Sequence, residues 1–137
     1  MPAPVIFGDW VMNHREFVVV RLRTQSGHEG WSFTLTRDGA CAEQIRKSIA
    51  PVYVGTDIAD REKTFKTAKG RTYGSHSAGV GLRALSQVDL AAWDVAARMA
   101  DKSIAEFLGG KTAPMPATAI IGYPPALMNP QKIGEQV

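Results

Sequence analysis

With 137 residues, the chain is long enough for one domain that buries about two-thirds of its unfolded surface. Apolar residues make up 45% and charged residues 21%, the balance of an ordinary soluble globular protein. A net charge of +3 and a pI near 9.2 are only mildly basic and select no partner by themselves. The single cysteine, Cys41, excludes an internal disulfide, fits a reducing compartment and reads as a small buried hydrophobe. No apolar run approaches the ~20 residues of a membrane span, and Met1-Pro2-Ala3-Pro4 lacks a signal-peptide pattern. The expectation is a cytoplasmic protein with no membrane contact.

Residues 1–15 carry Val5, Ile6, Phe7, Trp10, Val11 and Met12 with no clean period, and read as an irregular loop. From Glu16 to Thr24 the pattern sharpens: Val18, Val20 and Leu22 alternate with Val19, Arg21 and Arg23, the signature of a strand with one buried face. Gln25-Ser26-Gly27-His28 is turn chemistry. A second strand over Glu29–Leu35 completes a β-hairpin, with Trp31, Phe33 and Leu35 on one face. The period then changes. Ala42, Ile45 and Ile49 repeat at helical spacing until Pro51, which is expected to break or kink that helix. Asp57 is placed to cap a helix over Ile58–Ala68, and Lys69–Ser77 reads as a polar loop.

The clearest element is a long helix from Gly79 to Ala100. Gly81, Leu85, Val88, Ala92, Val95 and Met99 draw one apolar stripe at spacings of four and three, with Leu82, Asp89, Trp93 and Ala96 on a neighbouring face. Trp93 is expected in the interior near Ile45 and Ile49. A short helix, Ser103–Leu108, is stopped by Gly109-Gly110, and Met115–Ile121 reads as a short strand before a proline-bearing tail. Strands, then helices, then a lone strand define an α+β fold, an antiparallel β-meander followed by a helical bundle.

No self-contained active site is legible. His14, His28 and His76 show no helix-face ligand spacing, and the glycines Gly74, Gly79 and Gly81 precede a helix without the Gly-Lys-Ser/Thr of a phosphate loop. Asp89 and Asp94 lie about 140° apart around an ideal helix, too far to share a ligand. They read instead as partners of a cation on an adjacent helix and of Arg98 at i+4, respectively. The basic stretch Arg61, Lys63, Lys66, Lys69, Arg71 lacks the interleaved aromatics of a nucleic-acid site and reads as a solvated helix face.

Three segments resemble the mandelate racemase and muconate-lactonizing branch of the enolase superfamily: Val18–Gly30 (VVVRLRTQSGHEG), Ile49–Asp57 (IAPVYVGTD) and Leu85–Gly110, which contains Asp89-Leu-Ala-Ala-Trp93-Asp94 and ends in Leu108-Gly109-Gly110. The resemblance implies an N-terminal capping domain of three antiparallel strands and a helical bundle over residues 1–112. Residues 113–137 would be the start of a (β/α)7β barrel, first strand only, or a disordered tail, with the rest of the barrel missing. In such enzymes the barrel carries acidic Mg2+ ligands and the bases that abstract a proton α to a carboxylate. The full-length relative is thus expected to be an isomerase or lyase: a racemase, acid-sugar dehydratase or cycloisomerase.

The chain departs from the family pattern in three ways. The first strand is not recognisable, Lys-x-x-Gly-x-Pro is replaced by Arg98-Met-Ala-Asp101-Lys102-Ser103, and the chain stops just after Met115–Ile121, the expected first barrel strand, so that no metal ligand or base maps onto any position. No cofactor is therefore expected in this chain, Mg2+ being implied only for the full-length member, and the chain is expected to be inactive alone. What carries over is specificity. Two loops, Phe7–Asn13 and Ser32–Arg37, would face a small carboxylate or acid-sugar substrate through Trp10, Met12, Ser32, Thr34 and Arg37, with the Arg37 guanidinium suited to a carboxylate. The alternative is a stand-alone, non-enzymatic α+β domain that self-associates as a homo-oligomer.

Overall fold

The computed structural model describes residues 4–7, 9–36, 39–76, 78–111, 113–118 and 134. The chain divides into two units, Met1–Arg15 with Ala113–Val137, and Glu16–Thr112. In the first, the stretch read as an irregular loop forms a small hairpin, β1 (Val5–Phe7) and β2 (Trp10–Met12), antiparallel with Ile6 opposite Val11. Both triplets are apolar on both faces, so no period of two could show. The Gly8-Asp9 pair between them is nevertheless a two-residue hairpin signal. Of the expected strand Met115–Ile121, residues 115–118 carry no regular structure, and the remainder lies outside the described residues.

The second unit is α+β, a small antiparallel sheet followed by helices. Strands β3 (Phe17–Arg23) and β4 (Glu29–Leu35) pair antiparallel with Val20 opposite Ser32. Gly27 takes φ +89° in the connecting turn, a conformation that glycine adopts without steric penalty. Among the described residues each sheet has two strands, where the resemblance implied three in one. Val18, Val20 and Leu22 turn inward onto the core, while Phe17 and Val19 face outward.

Pro51 does not end the first helical run. Helix α1 (Cys41–Gln44) passes through a π-helical turn, Ile45–Ile49, into α2 (Ala50–Tyr53). Proline has no N–H to give to the Lys47 carbonyl, and its ring would collide with that oxygen in a regular α-helix. The wider turn just before it relieves that conflict and lets the helix continue. Asp57 accepts from the Ala59 amide at 2.9 Å and opens a 3-10 turn, Ile58–Asp60, that leads into α3 (Arg61–His76).

The expected loop Lys69–Ser77 is helix as far as His76. Its residues are polar, yet Thr64, Ala68 and Thr72 repeat at i, i+4 and are buried. Close packing of that small-residue edge, rather than an apolar stripe, stabilises the helix. Helix α4 (Gly79–Met99) buries Gly81, Leu85, Val88, Ala92 and Val95 as its period required, leaving Met99 exposed near its end. Leu85, Val88 and Ala92 form the core together with Cys41, Ile49, Tyr53, Ala68 and Ala84.

α4 ends where the family pattern has its glycine. Asp101 adopts φ 52°, the Lys102 amide donates to Ala97 and the Asp101 amide to Arg98, which is the paired bonding of a Schellman stop. Ser103 and Glu106 then cap each other's backbone to start α5 (Ile104–Phe107). Gly109 follows at φ 83°.

The sheet meets α4 at Gly30. A Cβ there would strike the Ala91 carbonyl oxygen and lie 2.5 Å from the Val95 amide, both fixed backbone groups. Two substitutions should therefore move stability in opposite directions in chemical unfolding. Gly30→Ala pushes β4 off the helix and should lose about 2 kcal/mol or more. Asp101→Gly relieves the left-handed backbone and should gain about 1 kcal/mol. Equal stabilities for Gly30→Ala and the parent would contradict the packing.

Candidate functional site

β4 is joined to α4 by side chains as well as by close packing. The buried Ser32 hydroxyl donates to the Gln87 carbonyl at 2.6 Å. The Asp94 carboxylate accepts the Trp31 amide at 2.8 Å and Arg98 Nε at 2.9 Å, so the i+4 pair expected from sequence exists and also anchors the sheet. The Arg83 guanidinium donates to the Leu35 carbonyl. Thr36, buried at the strand's end, donates to the Glu16 carboxylate at 2.9 Å and through its amide to the Glu16 carbonyl.

The sequence-predicted site residues are distributed as follows. Trp10 and Met12 belong to β2, Trp10 opposite Phe7 and the half-buried Met12 opposite Val5. Ser32 and Thr34 lie in β4 rather than in a loop, because the strand continues to Leu35. Ser32 is committed to α4, and Thr34 pairs with Val18 on the inner face. Arg37 lies outside the described residues.

A second cluster was not foreseen. Arg61, at the start of α3, leaves the basic helix face and lies 4.0 Å from the Trp93 ring centroid and 5.0 Å from that of Phe107. The two rings meet edge to face at 6.1 Å, a geometry favoured by both cation–π and quadrupole interactions. Trp93 is therefore half-buried in this stack between α3, α4 and α5, a correction to its expected place beside Ile45 and Ile49. The cause is Arg61, whose planar cation covers the indole face that an aliphatic core would otherwise bury. Sequence gave no local signal, since the three residues lie far apart in the chain.

Asp89 adjoins this stack. Burial raises its carboxyl above the ordinary range, against the opposing pull of the Arg61 charge and the Trp93 side chain, while Glu62 adds to the rise. Tyr53 of α2 is pushed well up by burial and then by the Asp89 charge, and its hydroxyl has no hydrogen-bond partner among the described residues. Burial likewise raises the Cys41 thiol, against the nearby Arg83 charge, as suits an inert core cysteine. No three His, Cys, Asp or Glu side chains converge to hold a metal among the described residues, and Asp94 is already engaged. These residues do not fit a magnesium site. No described helix is long and apolar enough to cross a membrane.

This fold and its motifs have known counterparts. The family model for the mandelate racemase / muconate lactonizing enzyme N-terminal domain matches residues 1–109, and the chain belongs to that family. A D-galactonate dehydratase family member of Streptomyces bingchenggensis is 32% identical over 98 residues, which cover 70% of this chain and 24% of that protein. The o-succinylbenzoate synthase of Bacillus subtilis is 26% identical over 123 residues, covering 83% of this chain and 31% of that one. Among solved structures, a member of the enolase superfamily from Agrobacterium tumefaciens superposes with a TM-score of 0.62 at 30% identity, over 69% of this chain and 25% of that one. L-Talarate dehydratase from a Polaromonas species, solved with Mg and L-glucarate, shares the fold at a TM-score of 0.70 and 23% identity, over 80% and 32%. The chain thus spans about a quarter to a third of the length of these relatives.

The raised Tyr53 and Asp89 make the unit lose stability as pH rises in two separate windows, an alkaline one for the phenol and an acidic one for the carboxyl. A tyrosine whose folded pKa lies above its unfolded value near 10 contributes fully below that pH, and the contribution is lost as pH rises through the window. Tyr53→Phe should therefore retain stability above pH 10 where the parent loses it, in unfolding titrations across pH. Asp89→Asn should gain on the parent as pH rises from below the unfolded carboxyl value of about 3.9 through the raised folded one. A parent and a Tyr53→Phe variant with the same alkaline limb would refute the burial of that phenol.

Proposed function

We propose that this chain is the substrate-capping domain of an enzyme of the mandelate racemase and muconate-lactonizing type, shaping a pocket whose catalytic groups lie on a barrel. The family match across residues 1–109 carries this reading, supported by the chain's coverage of only about a quarter of its dehydratase relative. In the whole enzyme the barrel supplies Mg2+ and the bases that abstract a proton α to a carboxylate. The cap excludes water and narrows substrate choice. Trp10 and Met12 give apolar walls, Thr34 a hydroxyl, and Arg37 a planar cation for a carboxylate or acid-sugar hydroxyls. Ser32 acts indirectly, holding β4 on α4 through Gln87. The substrate class that fits is a small carboxylate or acid sugar, in racemisation, dehydration or cycloisomerisation.

The test replaces the corresponding N-terminal domain of an acid-sugar dehydratase with residues 1–112 of this chain. Arg37→Ala in the hybrid should raise KM for acid sugars about tenfold or more and leave kcat for the best remaining substrate within a few-fold, as loss of a binding contact demands. The isolated 137-residue chain should show no Mg2+-dependent deuterium wash-in α to a carboxylate. Exchange above a metal-free control would contradict the assignment of chemistry to the barrel. An unaltered substrate profile in the Arg37→Ala hybrid would contradict the assignment of specificity to the cap.

A further inference from the structure

The chain that leaves β4 is tied down on both sides of Arg37. The Thr36 amide donates to the Glu16 carbonyl at 3.0 Å, one step beyond the Phe17–Leu35 pair. Counting back in twos, the hydrogen-bonded pairs of the ladder are Val18–Thr34, Val20–Ser32 and Leu22–Gly30. The Leu35 carbonyl therefore points away from β3, and the Arg83 guanidinium of α4 donates to it. Past Arg37 and Asp38, the Gly39 amide donates back to the Thr36 carbonyl at 3.2 Å, and the Cys41 amide to the Gly39 carbonyl at 2.7 Å. A Cβ at Gly39 would lie 2.7 Å from the Val80 side chain in the first turn of α4, a β-branched group with little freedom to yield.

One further tie is not needed to close the hairpin. The Thr36 hydroxyl donates to the Glu16 carboxylate at 2.9 Å, with the Glu16 carbonyl a poorer acceptor at 3.4 Å. Thr36 is only 6% exposed, whereas Glu16 lies at the surface. Holding an exposed glutamate in one rotamer costs side-chain entropy, so the bond is a weak source of stability. Its effect is directional. A β-branched residue with its χ1 fixed has a narrow choice of backbone angles, and the next residue along that backbone is Arg37.

We propose that Thr36 and Glu16 are positioning residues: their side-chain bond aims the Arg37 step, and substrate affinity in the whole enzyme depends on it. The role rests on Arg37 being a substrate contact, as proposed above, and adds the pair that holds that contact in place. A guanidinium binds a carboxylate well only when its planar fork is correctly oriented. A small change in the direction of the chain at Thr36 therefore weakens binding without removing any group that touches the substrate.

Thr36→Val keeps the shape of the side chain and removes the donor, while Glu16→Ala removes the carboxylate from the exposed end of the same bond. In the full 137-residue chain, both should speed hydrogen exchange at the Gly39 amide while the Val20 amide inside the ladder stays slow. Thr36→Ser, which keeps the hydroxyl, should restore it. In the hybrid dehydratase carrying residues 1–112, both variants should raise KM for acid sugars about fivefold or more and leave kcat within a few-fold, with Thr36→Ser near the parent. Thr36→Val combined with Arg37→Ala should be no worse than Arg37→Ala alone, because the bond acts only through that guanidinium. A parental KM in the Thr36→Val hybrid, a penalty that adds in full to that of Arg37→Ala, or a Gly39 amide indifferent to both variants overturns the positioning role and leaves Arg37 a contact. An Arg37→Ala hybrid with unchanged KM removes the contact itself, and the positioning role falls with it.

Discussion

The backbone of β4 approaches α4 at Gly30 so closely that a methyl group would meet the Ala91 carbonyl and the Val95 amide, and the second unit is organised around that approach. It brings the Trp31 amide within reach of Asp94, the Ser32 hydroxyl within reach of the Gln87 carbonyl, and the Leu35 carbonyl within reach of Arg83. Small residues on the facing side of α4, Ala84, Ala91 and Ala92, are fully buried. A helix that presents alanine to a sheet lets main chains come near enough for such side-chain-to-backbone bonds, which take up polar groups that the β3–β4 ladder leaves unpaired.

How much of this could be read in advance varied with the physics of each element. β3, β4 and α4 were legible because a single amphipathic face decided them: alternation in Val18, Val20 and Leu22, and a four-three spacing from Gly81 to Val95. The first hairpin was not, because Val5–Phe7 and Trp10–Met12 are apolar on both sides and leave no alternation. The second half of α3 was hidden by Lys69, Gly70 and Arg71, whose polarity outweighed the buried Ala68 and Thr72. Pro51 was expected to break or kink the first helix, and the irregularity it imposes is the π-helical turn before it, which removes the clash and lets the helix run on to Tyr53. Asp101 was visible as a departure from the family pattern, and the structure supplies its meaning: the backbone keeps the left-handed conformation that glycine would take more cheaply.

The site was less legible than the fold. Ser32 and Thr34 were placed in a loop although the strand runs to Leu35, so Ser32 serves the seam with α4. The stack of Arg61 on Trp93 and Phe107 ties the first turn of α3 to α5, and its residues converge only through tertiary packing. Tyr53 and Asp89 lie beside it. This half-buried corner reaches the end of α5 through Phe107, just before the Leu108-Gly109-Gly110 exit. In relatives three to four times as long, the chain continues beyond that exit. The family assignment rests on the whole pattern of elements over residues 1–109 rather than on any catalytic residue, consistent with a domain whose proposed work is to shape a pocket.

Residue-level hydrogen exchange at the Trp31 amide tests the seam most directly. That amide points away from β3, so sheet pairing cannot protect it, and its acceptor is the Asp94 carboxylate on α4. In dilute solution it should exchange nearly as slowly as the Val20 amide within the ladder, and Asp94→Ala should speed Trp31 selectively while Val20 stays slow. A Trp31 amide that exchanges as freely as an unstructured one, beside a protected Val20, would mean that the sheet is not fastened to α4 in this way.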